Sequence, residues 1–442
     1  MRVLFISHEL VAANLAYLLK KEGCDVKLYI EDKKLRGSFH NLVKKTLNWE
    51  KELGWVKKDG LIVFDDIGFG DIQDKLRKDG YSVFGGSKFG DLLETNRQWS
   101  KRILKRYNLK TLSTFDFKNI DGAIHFIKKC KKGPWVIKQN GHVSRDINYV
   151  GKFQDNHDAI SVLENYKSNY GNSLGTITLQ KRVYGIEIGV GRYFNGNDWV
   201  GPIEINVEHK KMFPGDLGPA TSEMGTLAWY ENDENNQLFQ ETLAKLKPFL
   251  REIDFRGDID VNCIINKKGA FALEITPRLG SPIIHLHSEI HISPWHKFLK
   301  AVADKQKFKL KWRKGFGMVT LVAVPPFPYT PKMKGISSLG IEVFFHPSIL
   351  KNNFKQIHFE GISMKYLKNG MKQYYVSDHP GYILYVTAIG KSIDSAREKT
   401  NTILKKIHIP KMFYRNDIGV SFQKNGMQKL ISWGYLKHSI RN

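Results

Sequence analysis

The 442 residues carry 69 Lys and Arg against 44 Asp and Glu, a formal net charge of +25, and 41% of them are hydrophobic. This is too long for one core and implies two to four domains; no run of about 18 uncharged apolar residues is present to cross a membrane. A field of that sign would attract phosphorylated substrates or nucleic acid, but without a basic low-complexity tail, zinc-finger spacing or ribonucleoprotein motif, nucleic acid is not favoured as a partner.

The chain opens on Met1-Arg-Val-Leu-Phe-Ile-Ser7, a buried strand rather than a signal peptide, because no small-residue cleavage site follows. Residues 3–6 are expected as a strand, 10–21 as an amphipathic helix, and 26–30 and 61–64 as further strands. This alternation predicts a parallel sheet with helices on both faces over residues 1–95. Ligands bind such sheets where the carboxyl ends of strands meet the next loops. Asp65 and Asp66 sit at such an end, and two roles are open: contact with substrate, or helix capping through Asp71. Cys24, Cys130 and Cys263 are odd in number and widely spaced, which fits inert thiols in a reducing, cytoplasmic compartment.

Further along, Trp135-Val-Ile-Lys138 is a short apolar strand ending in a lysine, followed by Gln139-Asn-Gly141. A strand over 176–180 precedes Gly185-Ile-Glu187, which turns back into a strand over 188–193. Asp258-Ile-Asp-Val-Asn262 and Glu274-Ile-Thr-Pro-Arg278 both alternate polar and apolar residues, and Asn266-Lys-Lys-Gly269 between them is a turn signal, so a hairpin is predicted. Asp258, Asp260 and Asn262 share one face of their strand, as Glu274, Thr276 and Arg278 do of theirs, and folding the hairpin puts carboxylates, an amide and a guanidinium on one surface. Hard oxygen ligands beside a fixed cation suit a metal–nucleotide site; a solvated sheet face is the plain alternative. A Lys-rich run over 304–315 reads as a linker to a third domain over 316–442, with a strand over 318–324 and a helix over 392–406.

Glu274-Ile-Thr-Pro-Arg278 resembles the Glu-x-Asn-x-Arg element of the ATP-grasp ligases, and Trp135-Val-Ile-Lys138 resembles their phosphate-binding lysine strand. Within that superfamily, three segments are similar to glycinamide ribonucleotide synthetase (phosphoribosylamine–glycine ligase). Ser82-Val-Phe-Gly-Gly86, with Leu93-Glu-Thr-Asn-Arg97 and Trp99-Ser-Lys101, resembles its Val-Phe-Gly-Pro segment and following helix. Glu208-His-Lys-Lys211, Gly215-Asp-Leu-Gly-Pro-Ala-Thr221 and Met224-Gly225 resemble its Asp-His-Lys-Arg…Gly-Asp-x-Gly-Pro-Asn-Thr-Gly-Gly-Met-Gly loop. Gly381-Tyr-Ile-Leu-Tyr-Val-Thr-Ala-Ile-Gly390 and Tyr414-Arg-Asn-Asp-Ile-Gly419 are similar to its closing domain.

The resemblance implies a multidomain α/β and α+β protein. A pre-ATP-grasp domain would span 1–95, an ATP-grasp domain 96–308 with a lid at about 115–178, and a mixed α/β domain 316–442. It implies ATP and Mg²⁺ or Mn²⁺ as cofactors, small amine and carboxylate substrates, and a monomer or homodimer. The reaction would form an amide through an acyl phosphate, so charge stabilisation and exclusion of water dominate and no protein nucleophile is required. Lys138 and Arg97 would contact phosphates, Gln180, Lys181, Arg182 and Val183 would form the adenine hinge, and Glu187 would lie near the nucleotide. Glu274 would hold the metal, with Asn262, Thr276 and Asp260 as weaker ligands. Arg278 would steady the acyl phosphate, and Lys210, Asp216, Thr221, Met224 and Gly225 would belong to a closing loop.

Departures fall on the substrate side. The family's Gly-Gly-Arg-Glu-His run becomes Ser7-His-Glu-Leu-Val-Ala12, and its Pro-Glu-Ala-Pro-Leu loop becomes Asp65-Asp-Ile-Gly-Phe69. The lid's Gly-Lys-Gly tip is replaced by Gly141-His-Val-Ser-Arg145, and Gly-Asp-Pro-Glu-Thr-Gln by Gly280-Ser-Pro-Ile-Ile-His285. Ser7, His8, Glu9, Asp65 and Asp66 are therefore expected to face an altered amine. Two further readings stay open: a ligase recruited to nucleotide modification or secondary metabolism, and a catalytically weak ATP-binding or nucleic-acid-associated protein.

Overall fold

The computed structural model describes residues 1–130, 132–139, 148–171, 175–329, 337–377 and 380–437. The expected lid tip at 141–145 lies outside them. The chain divides into two compact units.

The first unit comprises Met1–Asp91, Ile188–Val261 and Thr276–Asn442. Its N-terminal part is a five-stranded parallel sheet in the order Lys44–Thr46, Asp25–Ile30, Arg2–Ser7, Leu61–Phe64, Val83–Phe84. The central strand is apolar from Val3 to Ile6 because both its faces are covered: Val3 and Phe5 join one buried cluster, Leu4 and Ile6 another. Strand order reverses between Arg2–Ser7 and Leu61–Phe64, so Ser7 and Asp65 mark the switch point, where such sheets form a crevice. The first helix is Ala13–Lys21 rather than 10–21. Leu10 has φ 67° and cannot begin it, and the backbone N–H of Ala12 is held by Asp65 at 2.9 Å.

The rest of this unit is built on a second sheet, antiparallel where its pairings are resolved. Its strands run Ile186–Asn195, Trp199–Glu208, Gly225–Glu231, Phe316–Ala323, Tyr382–Gly390, Ile357–Phe359, with Arg256–Asn266 flanking the first. All eight residues of Phe316–Ala323 are buried. Helix Ile283–Ile290 seats Leu286 and Ile290 against Met224, Ala228, Val319 and Leu321. Ser392 caps helix Ile393–Leu404 through the Ser395 N–H at 3.1 Å, a contact of the kind worth about 1 kcal/mol.

The second unit comprises Leu92–Glu187 and Asn262–Ile275. Its sheet runs Thr114–Phe117, Ile177–Lys181, Trp135–Gln139, Tyr149–Val150, antiparallel throughout. Alternation sorts the residues. Trp135, Ile137, Ile177 and Leu179 pack on Ile124 and Ile127 of helix Ile120–Lys129 and Leu163 of helix His157–Tyr170. Trp135 also meets Phe115 and Phe126 edge-on at 5.8 and 5.4 Å, contacts worth about 0.5–1.5 kcal/mol each. The predicted hairpin is present, Arg256–Asn266 followed by Gly269–Thr276. Its polar residues are not uniformly solvated: Asp258, in the stretch that belongs to the first unit, and Asn262 are 5% and 2% exposed, whereas Glu274 is exposed.

Candidate active site

The second unit presents the other face of its small sheet. In register, Lys138 stands opposite Thr178 and Val136 opposite Gln180; on the far side Asp116 faces Thr178 and Thr114 faces Gln180. Cross-strand partners share a face, so Lys138, Gln180, Thr178 and Asp116 lie together opposite the apolar side. Thr178 donates its hydroxyl to Asp116 at 2.6 Å. Arg97 starts helix Arg97–Arg106, capped by Asn96 through the Trp99 N–H at 3.0 Å. Burial lowers the Arg97 pKa, with Glu274 and Asp116 acting against that shift. The same unit thus holds Lys138 and Arg97 as cations and Glu274 and Asp116 as carboxylates. Lys101 feels both Asp116 and Arg97; its place one turn after Arg97 was the available sequence signal, and Asp116 had none.

The expected hinge is more occupied than its sequence suggests. The N–H of Lys181 is bound to the Ser113 carbonyl at 2.8 Å and that of Arg182 to the Pro134 carbonyl at 3.1 Å. Their side chains also serve the fold: Lys181 donates to the carbonyls of Gly133, at 2.7 Å, and Lys132, and Arg182 to Gly151 at 2.7 Å. Gln180 is 8% exposed.

Asn262 directs its amide nitrogen to Glu187 at 3.5 Å, and Glu187 and Glu274 are exposed. Among the described residues no three His, Cys, Asp or Glu side chains form a preformed metal cage. These donors nevertheless fit a magnesium-type ion, which takes one or two carboxylates and completes its shell with phosphates and water. Asp260 and Thr276 belong to the first unit. There Asp260 accepts from Asn206 at 2.9 Å, and desolvation, reinforced by Glu204, Glu208 and Asp258, pushes its carboxyl well above the usual range.

In the first unit, the turn after the central strand is closed on itself. Ser7 donates its hydroxyl to Asp65 at 2.7 Å and accepts the Leu10 N–H at 3.0 Å; Asp65 also holds the N–H of Ala12. Asp65 is fully buried, and desolvation, with the charge of Asp66, pushes its pKa up to about 7. Asp66 accepts the Ile67 N–H at 2.8 Å and meets Arg278 at 3.2 Å. His8 lies 3.7 Å from Glu9 and 3.9 Å from Asp66. The crevice is therefore lined by Glu9, His8 and an Asp66–Arg278 pair, with Asp65 behind them. Asp71 pairs instead with Lys88, and helix Gly70–Lys78 receives its capping carboxylate from Asp91, which accepts from Gly68 and Gly70 at 2.8 Å each.

Lys210 pairs with Glu208 at 2.9 Å. Thr221 uses its hydroxyl and its N–H on the Lys210 carbonyl, at 2.9 and 2.7 Å. Met224 is wholly buried, and a Cβ on Gly225 would lie 2.5 Å from the Val319 carbonyl. These three residues thus build the base of the loop. Glu223 was missed by the sequence reading, although it stands where the quoted motif has glycine. It is 7% exposed, and burial, then Glu208, drives its carboxyl well above the ordinary range.

Residues 95–283 match the family model described as "Phosphoribosylglycinamide synthetase, ATP-grasp (A) domain". The phosphoribosylamine–glycine ligase of Clostridium acetobutylicum is 27% identical over 343 residues, 74% of this chain and 76% of that protein. The crystal structure of the phosphoribosylamine–glycine ligase of Thermotoga maritima superposes with a TM-score of 0.70 at 20% identity, covering 95% of this chain and 100% of that one. A biotin carboxylase from Campylobacter jejuni shares the fold more distantly, with a TM-score of 0.62 at 11% identity over 96% and 95% of the chains. Taken with the lysine strand, the charged sheet face and the carboxylate hairpin, these likenesses define an ATP-grasp enzyme, a carbon–nitrogen ligase by class. Its particular likeness is to the phosphoribosylamine–glycine ligases.

Proposed function

We propose that this ligase activates a small carboxylate with ATP and joins it to an amine other than phosphoribosylamine, releasing ADP and phosphate. Lys138 and Arg97 hold the phosphates, and Glu274, with Glu187 and Asn262, holds Mg²⁺ or Mn²⁺. When bound there, the metal would offset charge on the transferred group. Arg278 steadies the activated acid, and Lys210 lies in the closing loop.

The observation that carries the choice of amine is the turn after Arg2–Ser7. A strand-to-helix turn holds a phosphate by offering free N–H groups. Here those of Leu10 and Ala12 are already bound by Ser7 and Asp65, and Glu9 and Asp66 line the same crevice around His8. Such a lining repels a phosphoribosyl group and suits a cationic or hydroxyl-rich amine; at contact distance these groups outweigh a net charge screened over roughly 8 Å.

The test is ADP release by the purified protein with glycine plus phosphoribosylamine, against a panel of diamines, amino sugars and amino acids. Faster turnover with a cationic or hydroxylated amine is expected. Efficient glycinamide ribonucleotide formation would overturn the altered-amine reading and leave the ligase reading standing.

A further inference from the structure

The segment from Glu208 to Gly225 includes a projecting hairpin, Lys211–Phe213 paired antiparallel with Leu217–Ala220. No residue of either strand is fully buried, and Phe213 and Leu217 are largely exposed. Met212 packs on the apolar cluster around Met224, which is little for a two-stranded ribbon, since isolated hairpins are marginal in water. Its tip is also conformationally costly: Gly215 and Asp216 have φ of 75° and 58°, the left-handed region that a non-glycine residue adopts only when held there.

What holds it arrives from about 200 residues later in the chain. Arg415 is 1% exposed, yet its guanidinium is fully engaged. Nη1 donates to the Lys211 carbonyl at 3.0 Å and to Asp216 Oδ1 at 2.8 Å. Nε and Nη2 form a fork on Asp417, 2.8 Å each, and Asp417 also accepts the Gly215 N–H at 2.9 Å. Two residues on, the Gly419 N–H donates to Nε2 of buried His209 at 3.0 Å, next to Lys210. Base and tip of the ribbon are thus tied to one short segment.

We infer that Arg415 is a positioning residue, clasping the hairpin so that Lys210 and the loop that carries it are held in place, and that Asp216 works as the hairpin's half of the clasp rather than on substrate. That the hairpin serves the ligase site rests on the proposed function; the clasp itself does not. One Asp216 oxygen sits on a buried guanidinium, an arrangement that fixes a loop and occupies that oxygen.

Hydrogen exchange and steady-state kinetics of Arg415→Met, Asp216→Asn and Asp216→Ala test this. Amides of residues 211–220 are expected to exchange about ten-fold faster or more in Arg415→Met and Asp216→Ala, with nucleotide binding unchanged. Asp216→Asn keeps an acceptor for Arg415 and is expected to hold turnover within about three-fold, whereas a carboxylate taking part in chemistry would lose about 100-fold or more. In Arg415→Met, KM for the amine should rise more than kcat falls. Unchanged exchange in both Arg415→Met and Asp216→Ala, or collapse of kcat in Asp216→Asn, overturns the inference. Should Arg415→Met not fold, Asp417→Asn, which weakens the fork and the Gly215 contact, carries the same exchange prediction. Absence of turnover with every amine would refute the ligase reading, and exchange would still decide the clasp.

Discussion

Replacing Asp65 by Asn should change how stability depends on pH more than it changes stability itself. The side chain is fully buried, and burial lifts its pKa from an ordinary 3.8 to about 7. Between those values the unfolded chain is ionised while the native protein keeps the proton. The native state then binds more protons, so its stability falls as pH rises, and above about 7 the difference is constant. At about 1.4 kcal/mol per pH unit this amounts to about 4 kcal/mol across the interval, and about 3 kcal/mol of it lies between pH 5 and 7.5. Asn keeps an oxygen for the Ser7 hydroxyl and the Ala12 N–H, so its own cost is about 1 kcal/mol and does not depend on pH. Urea midpoints at pH 5, 6, 7 and 7.5 should therefore show Asp65→Asn gaining on the native protein as pH rises, equal to it or better at pH 7.5. Parallel profiles for the two proteins would refute the reasoning, because they would mean that Asp65 titrates as a solvated carboxyl does.

Lys138→Ala removes a half-buried charge from near the end of its strand, on the face away from the apolar cluster; a folded protein with ADP release down on the order of 10²-fold is expected, and near-normal release would remove Lys138 from the nucleotide site. Glu274→Gln keeps shape without charge and should raise the Mg²⁺ concentration needed for half-maximal rate several-fold, while Thr276→Asn, which restores the resembled family's ligand, should lower it or leave it alone; a large loss of metal-dependent rate in Thr276→Asn would show Thr276 facing away from the metal. Gly225→Ala drives a Cβ to 2.5 Å from the Val319 carbonyl and 2.9 Å from Ile418, in the stretch where Gly225 pairs with Thr320. It should cost about 3 kcal/mol and lower the thermal midpoint by several degrees, and a wild-type midpoint would show that the sheet yields there.

How far the sequence could be read depended on how local each cause was. Asn266-Lys-Lys-Gly269 announces its hairpin because turn chemistry is contained in four residues, and the strands end where that signal puts them. The two-residue period likewise sorts Trp135 and Ile137 from Val136 and Lys138 without any partner being known. The start of the first helix was misjudged by three residues because its cause, Asp65, lies 53 residues away. Asp71 looked like a cap, while the capping carboxylate came from Asp91. Burial was the other blind spot: an alternating strand with acids every second residue looks solvated, and only the packing around it buries Asp258. Thr221, Met224 and Gly225 could be read as one motif, but only the structure distinguishes residues that shape a loop from a residue, such as Glu223, that changes its chemistry.

The reach of the Arg415 clasp has a consequence for how the molecule comes into being. A ribosome delivers Lys211 and Asp216 about 200 residues before the guanidinium that fixes them. Asn14 waits longer still, for the imidazole of His358 and the backbone of Phe359. Pairings of such separation close late and slowly, after the entropy of long loops has been overcome. A nascent chain cut short before residue 415 would carry the second unit in full and yet lack the fastening of the hairpin in the first. Such a copy would keep the ribbon over residues 211–220 without its clasp, and an isolated two-stranded ribbon is marginal in water.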